Sequence, residues 1–232
     1  MPLNPNDERY WRMVKILIED VPNQLRQLFR SAFHAKYRIS WVEGSSSGKM
    51  FMAMVPPRNI RDKNIPATVQ KGVTGDFDCT TLFFCLLFSG TGLLTPVVRP
   101  KAQRGPPFYD SERIDQLREQ RNAVAHATTP SITEADFKTR IQQIEDIYTA
   151  FNWDDAEFRK AAYGFLWPTE YTRLEQKIEV EKARIDDHEQ RLQCHEQRLQ
   201  SHTHQLQSHD QRLQYLEQQS GISAQCNIIV LV

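Results

Sequence analysis

Apolar residues recur at spacings of three and four along the first two thirds of the chain, and this spacing predicts amphipathic helices. The first stripe runs from Trp11 to Phe29 and contains Pro22, which either kinks a helix or divides it in two. A less regular stretch at 40–75 predicts a loop and one or two short helices. Three further stripes predict helices at 78–90, 111–129 and 137–151. No run of alternating polarity is long enough for a sheet, so the pattern predicts an all-α bundle.

Polar residues mark where two of these helices begin. Asp78 precedes a strongly apolar segment and is a suitable N-terminal cap for it. Before the last of the three helices, either Ser131 with Glu134 or Thr133 with Asp136 can form a capping box. Both helices are therefore expected to start at short polar loops.

The most apolar segment is "TLFFCLLFSGTGLLTPVV", residues 81–98. A helix that crosses a membrane needs about 20 consecutive apolar residues. Here the second half of the segment is interrupted by Ser89, Gly90, Thr91, Gly92, Thr95 and Pro96. We therefore interpret the segment as a buried core helix and expect no membrane association.

The pattern changes abruptly after Trp167 and Pro168, where a heptad repeat begins. Large side chains occupy position a every seven residues, at Tyr171, Ile178, Ile185, Leu192, Leu199, Leu206 and Leu213. Position d holds Leu174, Glu181, His188, His195, His202, His209 and Leu216. A helix with one apolar stripe has no core of its own. The repeat therefore predicts a homodimeric coiled coil formed through Ile178, Ile185, Leu192, Leu199, Leu206 and Leu213.

The histidines at position d leave three interpretations open. Successive histidines are about 10 Å apart along a helix, too far for two of them to bind one metal within a chain. A metal would have to bridge two chains. Facing imidazoles could instead make pairing sensitive to acid, because they gain charge near pH 6.5. In the third interpretation the duplicated repeat, visible in "HEQRLQC" and "HEQRLQS", simply tolerates polar residues there.

These patterns predict four segments with different roles. A helical bundle is expected at 1–155, followed by a short helical connector at 156–168. The coiled-coil repeat covers 169–219, and an apolar tail covers 220–232. The proline-rich "TPVVRPKAQRGPP" predicts a solvated loop inside the first segment, and its Arg99, Lys101 and Arg104 could contact phosphate.

Overall composition excludes several classes of protein. The 29 basic and 29 acidic residues give a formal net charge of zero, which favours no particular partner. The four cysteines lack metal-ligand spacing and suit a reduced, cytoplasmic setting, so no metal is expected. "GSSSGKM", residues 44–50, departs from the phosphate-binding loop pattern and is interpreted as a flexible loop. No cofactor is expected.

Three ordered blocks carry a resemblance to a known family. They are "NDERYWRMVKILIEDVPNQLRQLFRSAF", "DFDCTTLFFCLLFSGTGLLTP" and "DSERIDQLREQRNAVAHATTPSITEADFKTRIQQIEDIYTAF". Together they resemble the HEPN domain of the type found in the DAZ-interacting E3 ubiquitin ligase, over about residues 5 to 155. The resemblance implies a helical bundle that commonly dimerises and that, in many members, cuts RNA without a metal.

The resemblance also implies a site. The family motif is an arginine, four to six residues, then a histidine, and Arg121, "NAVA" and His126 match its short form. Asn122 matches the polar residue that often follows the arginine. In cleavage by the RNA 2′-hydroxyl, His126 suits proton transfer and Arg121 suits stabilisation of the charged phosphate. Asn122 would hold RNA or orient the imidazole.

Helix geometry leaves the function open. Residues five apart on a straight helix point about 140° away from each other, so Arg121 and His126 do not share a face. Either the helix loosens near Ala127, or the site combines residues of two chains. Alternatively, both residues cap the helix C-terminus. The expected function is therefore an RNA-binding module with metal-independent endoribonuclease activity as its candidate chemistry, and the alternative is a non-catalytic scaffold in immune or ubiquitin-type signalling.

Overall fold

The computed structural model describes residues 4–60, 64–94, 110–164 and 168–229, and these residues form helices, turns and loops without a strand. The prediction of an all-α fold is confirmed. The chain divides into two compact units between Asp187 and His188. The first unit contains the hydrophobic core, and the second is the remainder of one long helix.

The N-terminal stripe forms helices α1 (Pro5–Lys15) and α2 (Val21–Tyr37), joined by a π-helical turn at Ile16–Asp20. In this turn the Val21 amide donates to the Ile16 carbonyl, five residues back. Pro22 explains the wider turn, because its ring has no N–H and clashes with the carbonyl four residues earlier. The chain thus stays helical through Pro22, and its two parts meet at the π turn.

The stretch at 40–75 contains two short helices, α3 (Ser45–Met54) and α4 (Asn64–Lys71), as the pattern predicts. They pack closely because Gly48 has no side chain. A Cβ atom at this position would lie 2.1 Å from the Val69 carbonyl oxygen. The interpretation of residues 44–50 as a flexible loop is wrong, since α3 begins at Ser45 and buries Ser47 and Gly48.

The described part of the apolar segment forms α5 (Cys79–Phe83) and a π-helical turn at Phe84–Phe88, and most side chains of these two elements are buried. Residues 95–98 of the segment lie outside the described residues. Asp78 caps α5 by accepting a hydrogen bond from the Thr81 amide at 2.7 Å. Both the core helix and its cap were predicted. Among the residues described, no helix is long and apolar enough to cross a membrane.

Three helices follow the gap at 95–109: α6 (Asp110–Ala125), α7 (Glu134–Phe151) and α8 (Ala156–Tyr163). Thr133 caps α7 by accepting from the Asp136 amide at 3.2 Å, which selects one of the two predicted capping boxes. The predicted proline-rich loop and its residues Arg99, Lys101 and Arg104 lie outside the described residues.

Helix α9 (Pro168–Ile229) carries the heptad repeat, but its first turns belong to the core. Leu174, Ile178 and Ile185 are buried with the residues of α1 to α8. The first unit therefore extends beyond the predicted bundle end at residue 155, because α8 and the start of α9 complete its core. The side chains of Leu192, Leu199, Leu206 and Leu213 lie outside the described part of the structure.

Candidate functional site

Arg121 of α6 is a buried cation, with only 3% of its surface exposed. Its Nη2 donates to Thr80 Oγ1 at 3.2 Å, and its guanidinium lies 5.5 Å from the centre of the Phe83 ring. Its Nη1 lies 3.9 Å from Oε2 of Glu181 on α9. The sequence interpretation as a helix cap does not fit Arg121, because these contacts are with side chains of α5 and α9.

Glu181 belongs to a group of four charged residues that we call the charge cluster: Asp78, Arg121, Glu181 and Arg184. Arg184 Nη1 lies 3.1 Å from Glu181 Oε1 and 3.3 Å from Asp78 Oδ2, so charges alternate in sign through the cluster. Burial raises the pKa of the Glu181 carboxyl, while Arg121 opposes this rise and Asp78 adds to it. The cluster connects α9 to α6 and to the loop that starts α5.

The buried part of the cluster is held by charge more than by hydrogen bonds. Among the described residues, Arg121 Nε, Arg121 Nη1 and Glu181 Oε2 are buried and have no hydrogen-bond partner. The 3.9 Å between Arg121 and Glu181 is too long for a hydrogen bond. A buried ion pair without good hydrogen bonds compensates poorly for the loss of water. Arg121 therefore keeps unused donor capacity.

His126 lies one residue beyond the end of α6, and its side chain is 34% exposed. Its Nδ1 is 3.6 Å from Asp186 Oδ1 on α9, and its amide donates to the Asn122 carbonyl at 2.9 Å. Asn122 is half-buried, and its Oδ1 has no hydrogen-bond partner among the described residues. Arg121 and His126 thus contact Glu181 and Asp186, and the fold does not bring the two residues together in one exposed cleft.

An open cleft of about 450 Å³ lies beside the charge cluster, between α2, the loop at 75–78 and α9. Asp78, Cys79, Glu181 and Arg184 line it, together with residues of α2. Cys79 is 2% exposed, and burial raises the pKa of its thiol to about 12. The thiol is buried and donates to the Leu17 carbonyl at 3.6 Å, beside the cleft that α9 closes on one side.

A second buried polar pair lies at the π turn that joins α1 and α2, and neither of its residues lines this cleft. Tyr148 donates to Asp20 Oδ2 at 2.6 Å, and both residues are buried. Burial raises the pKa of Asp20, and the hydrogen bond from Tyr148 partly opposes this. The part of the chain that is described contains no cluster of His, Cys, Asp and Glu suited to a metal.

Sequence reasoning missed Glu181 as the partner of Arg121, and Arg184 and Asp78 as the charges that continue the cluster. One signal was present: Glu181 is a carboxylate at position d, between apolar Ile178 and Ile185. A charged residue in an apolar stripe needs a partner when it is buried. The identity of that partner depends on the packing of α9 against α6.

No family model, curated protein or solved structure matches this chain.

Proposed function

We propose that this chain is a cytoplasmic, non-catalytic interaction module in which a HEPN-type helical bundle is carried on a self-associating coiled coil. In this proposal Arg121 anchors α9 to the bundle. The main observation in its favour is the burial of Arg121, which is 3% exposed and faces Glu181. A guanidinium in this position supports the packing of α9 and has little access to an external ligand.

Self-association is proposed to use the heptad stripe beyond residue 187, at Leu192, Leu199, Leu206 and Leu213. Leu216 supports this, because it occupies position d of the same repeat and is 59% exposed in a single chain. An apolar side chain at a coiled-coil position gains most when a second helix covers it. The bundle would then be presented in at least two copies to a protein partner, for example in immune or ubiquitin-type signalling.

Light scattering tests this proposal. We expect the full chain to be at least a dimer and a chain ending at Asp187 to be monomeric. Ending the chain at Trp167 is a poorer test, because it removes Leu174, Ile178 and Ile185 from the core.

A matched pair of full-length variants sharpens the same test. Leu199→Glu with Leu206→Glu should abolish association, since both substitutions fall on position a. Gln197→Glu with Gln211→Glu adds the same charge on the exposed side of the repeat and should leave association unchanged. A monomeric unmodified chain would contradict the proposal.

A metal-independent endoribonuclease is the second candidate function. The 34% exposure of the His126 side chain favours it, because an imidazole that solvent reaches can transfer a proton, whereas Arg121, 3% exposed, would reach a phosphate only after α9 moves away. Asn122, with an unpartnered Oδ1 among the described residues, would bind RNA beside them.

Incubation with single-stranded RNA in the presence of a chelator distinguishes the two candidates. An endoribonuclease of this type leaves 2′,3′-cyclic phosphate ends, and the His126→Ala variant should leave none. Equal cleavage by both proteins would exclude His126 as the catalytic group. If the unmodified chain neither cuts nor crosslinks to RNA, the scaffold is favoured.

A further inference from the structure

The first turns of α9 bury their heptad stripe inside their own chain. Between Glu170 and Asp187, the described positions a and d are all buried: Leu174 is 0% exposed, Ile178 5%, Glu181 6% and Ile185 4%. The side chains between them are exposed or half-buried. Ile178 and Ile185 share position a with Leu192, Leu199, Leu206 and Leu213, and Leu174 and Glu181 share position d with Leu216. One continuous stripe is therefore covered by the bundle at its beginning and needs another helix beyond it.

We propose that residues 170–187 exchange between two partners: the bundle of their own chain, and the same residues of a second copy. In the docked state the stripe packs on the bundle, and the coiled coil starts after Asp187. In the released state the coiled coil extends toward Pro168, and the surface of the bundle beneath α9 is uncovered. This inference rests on the proposed self-association and adds a conformational change to it.

The second copy is the expected occupant because the heptad register continues without interruption. Ile178 and Ile185 stand at position a, as do the leucines of the repeat that follows. The stripe itself is therefore covered in both states, while release also uncovers the bundle surface beneath α9. Polar contacts of the stripe add to this difference, and a segment that has two alternative partners can exchange between them.

Glu181 is the residue that favours docking. In the docked state it faces Arg121 of the bundle at 3.9 Å, whereas its other partner, Arg184 at 3.1 Å, lies on α9 and moves with it. In an extended parallel coil, two Glu181 carboxylates at position d would face each other, and like charges at a buried position repel. Removing this charge should therefore destabilise docking and stabilise the longer coil at the same time.

The outer contacts of the docked segment permit release. Glu19 pairs with Arg173 and Lys177 at 2.7 Å, and Lys15 pairs with Glu170 at 2.6 Å. The side chains of Arg173 and Lys177 are 48% and 46% exposed, whereas those of Glu19, Lys15 and Glu170 are 17%, 15% and 22% exposed. Water solvates both charges of each pair when they separate, which limits the cost of release.

Two buried cysteines report release and global unfolding separately. Cys79 lines the same cleft as Glu181 and is 2% exposed. Cys85, in the π turn at Phe84–Phe88, is 0% exposed. Release of α9 should expose the Cys79 thiol and leave Cys85 buried, whereas global unfolding should expose both.

The experiment measures labelling of these thiols by a small thiol-reactive reagent in the full-length chain carrying Cys194→Ser and Cys226→Ser. We expect Glu181→Leu to increase the labelling rate of Cys79 by at least about tenfold, because it leaves Arg121 buried without its charge partner. Cys85 should remain protected. The same variant should associate more tightly, as measured by sedimentation. Glu175→Leu is the matched control, since Glu175 is exposed and lies off the stripe.

A second measurement, on the chain without the Glu181 substitution, still tests the proposal if the Glu181→Leu variant fails to fold. Release coupled to association should make Cys79 labelling faster as protein concentration rises. The inference is wrong if labelling is independent of concentration, if Glu181→Leu behaves like Glu175→Leu, or if Cys79 and Cys85 react at the same rate. Persistent dimers with a protected Cys79 would refute the exchange alone, whereas a monomeric chain would refute the proposed self-association as well.

Discussion

The two halves of the heptad repeat share one sequence pattern and have different surroundings. Before Asp187 the repeat places Leu174, Ile178 and Ile185 in the core of the first unit. After it, Leu216 at the equivalent position d is 59% exposed. Identical spacing therefore does not identify what covers an apolar stripe. The surface that covers the stripe depends on which other apolar surfaces are close to it. For the first turns of α9, that surface is the helical bundle of the same chain.

The largest difference between the two halves of the stripe should appear when a charged residue is placed in one half or in the other. Ile178→Asp should lower the unfolding free energy of the first unit by at least about 4 kcal/mol, because it removes a buried side chain and buries an unpaired charge. Leu206→Asp should leave the unfolding of the first unit unchanged and weaken association. Circular dichroism during urea unfolding, combined with light scattering, separates the two outcomes. Equal destabilisation by both would remove the distinction between the halves.

Substitution of Arg121 should have the second-largest effect on the unfolding free energy. Arg121→Met should cost about 3 kcal/mol, since Glu181 loses its buried counter-charge and keeps only Arg184, which is 48% exposed. Combining it with Glu181→Leu should recover most of this loss, because no buried charge then remains between α6 and α9. A double-mutant cycle in urea measures the coupling. If the losses in unfolding free energy are additive, Arg121 and Glu181 are not energetically coupled.

The pH dependence of stability should distinguish the buried carboxyls of the first unit from its exposed ones. Burial raises the pKa of both Asp20 and Glu181. A carboxyl with a raised pKa binds its proton more tightly in the folded state, so unfolding free energy falls as pH rises from near 4 through the folded pKa.

Asp20→Asn tests this directly. The asparagine keeps an acceptor for Tyr148 and removes the buried charge, so the decline with pH should become shallower in urea titrations at several pH values. Asp186→Asn, at a carboxyl that is 49% exposed, is the control and should leave the slope nearly unchanged. An unchanged slope in Asp20→Asn would contradict the assignment.

His126 should have the smallest effect on stability. His126→Ala is expected to cost less than about 1 kcal/mol, because the imidazole is 34% exposed and faces an exposed Asp186. Thermal unfolding at one protein concentration measures it. A loss as large as that of Arg121→Met would mean that both members of the motif anchor α9.

Much of the fold could be predicted from spacing alone, since apolar periodicity and caps depend on neighbouring residues. The helix at 78–90 and its Asp78 cap are examples. The site could be predicted only in part. Arg121 and His126 were identified by their motif, but their partners Glu181 and Asp186 are 60 residues further along the chain. No local pattern specifies a contact at that separation.

The sequence by itself determined the helices, their polar and apolar faces and the heptad register, because each depends on residues within a few turns. Only the tertiary structure decided that α9 starts as part of the core, that Pro22 follows a π turn and that Arg121 lies beneath Glu181. The physical reason is that burial depends on which surfaces meet. The ion-pair partner of a buried arginine is the carboxylate that tertiary packing places beside it, which here is Glu181 of α9.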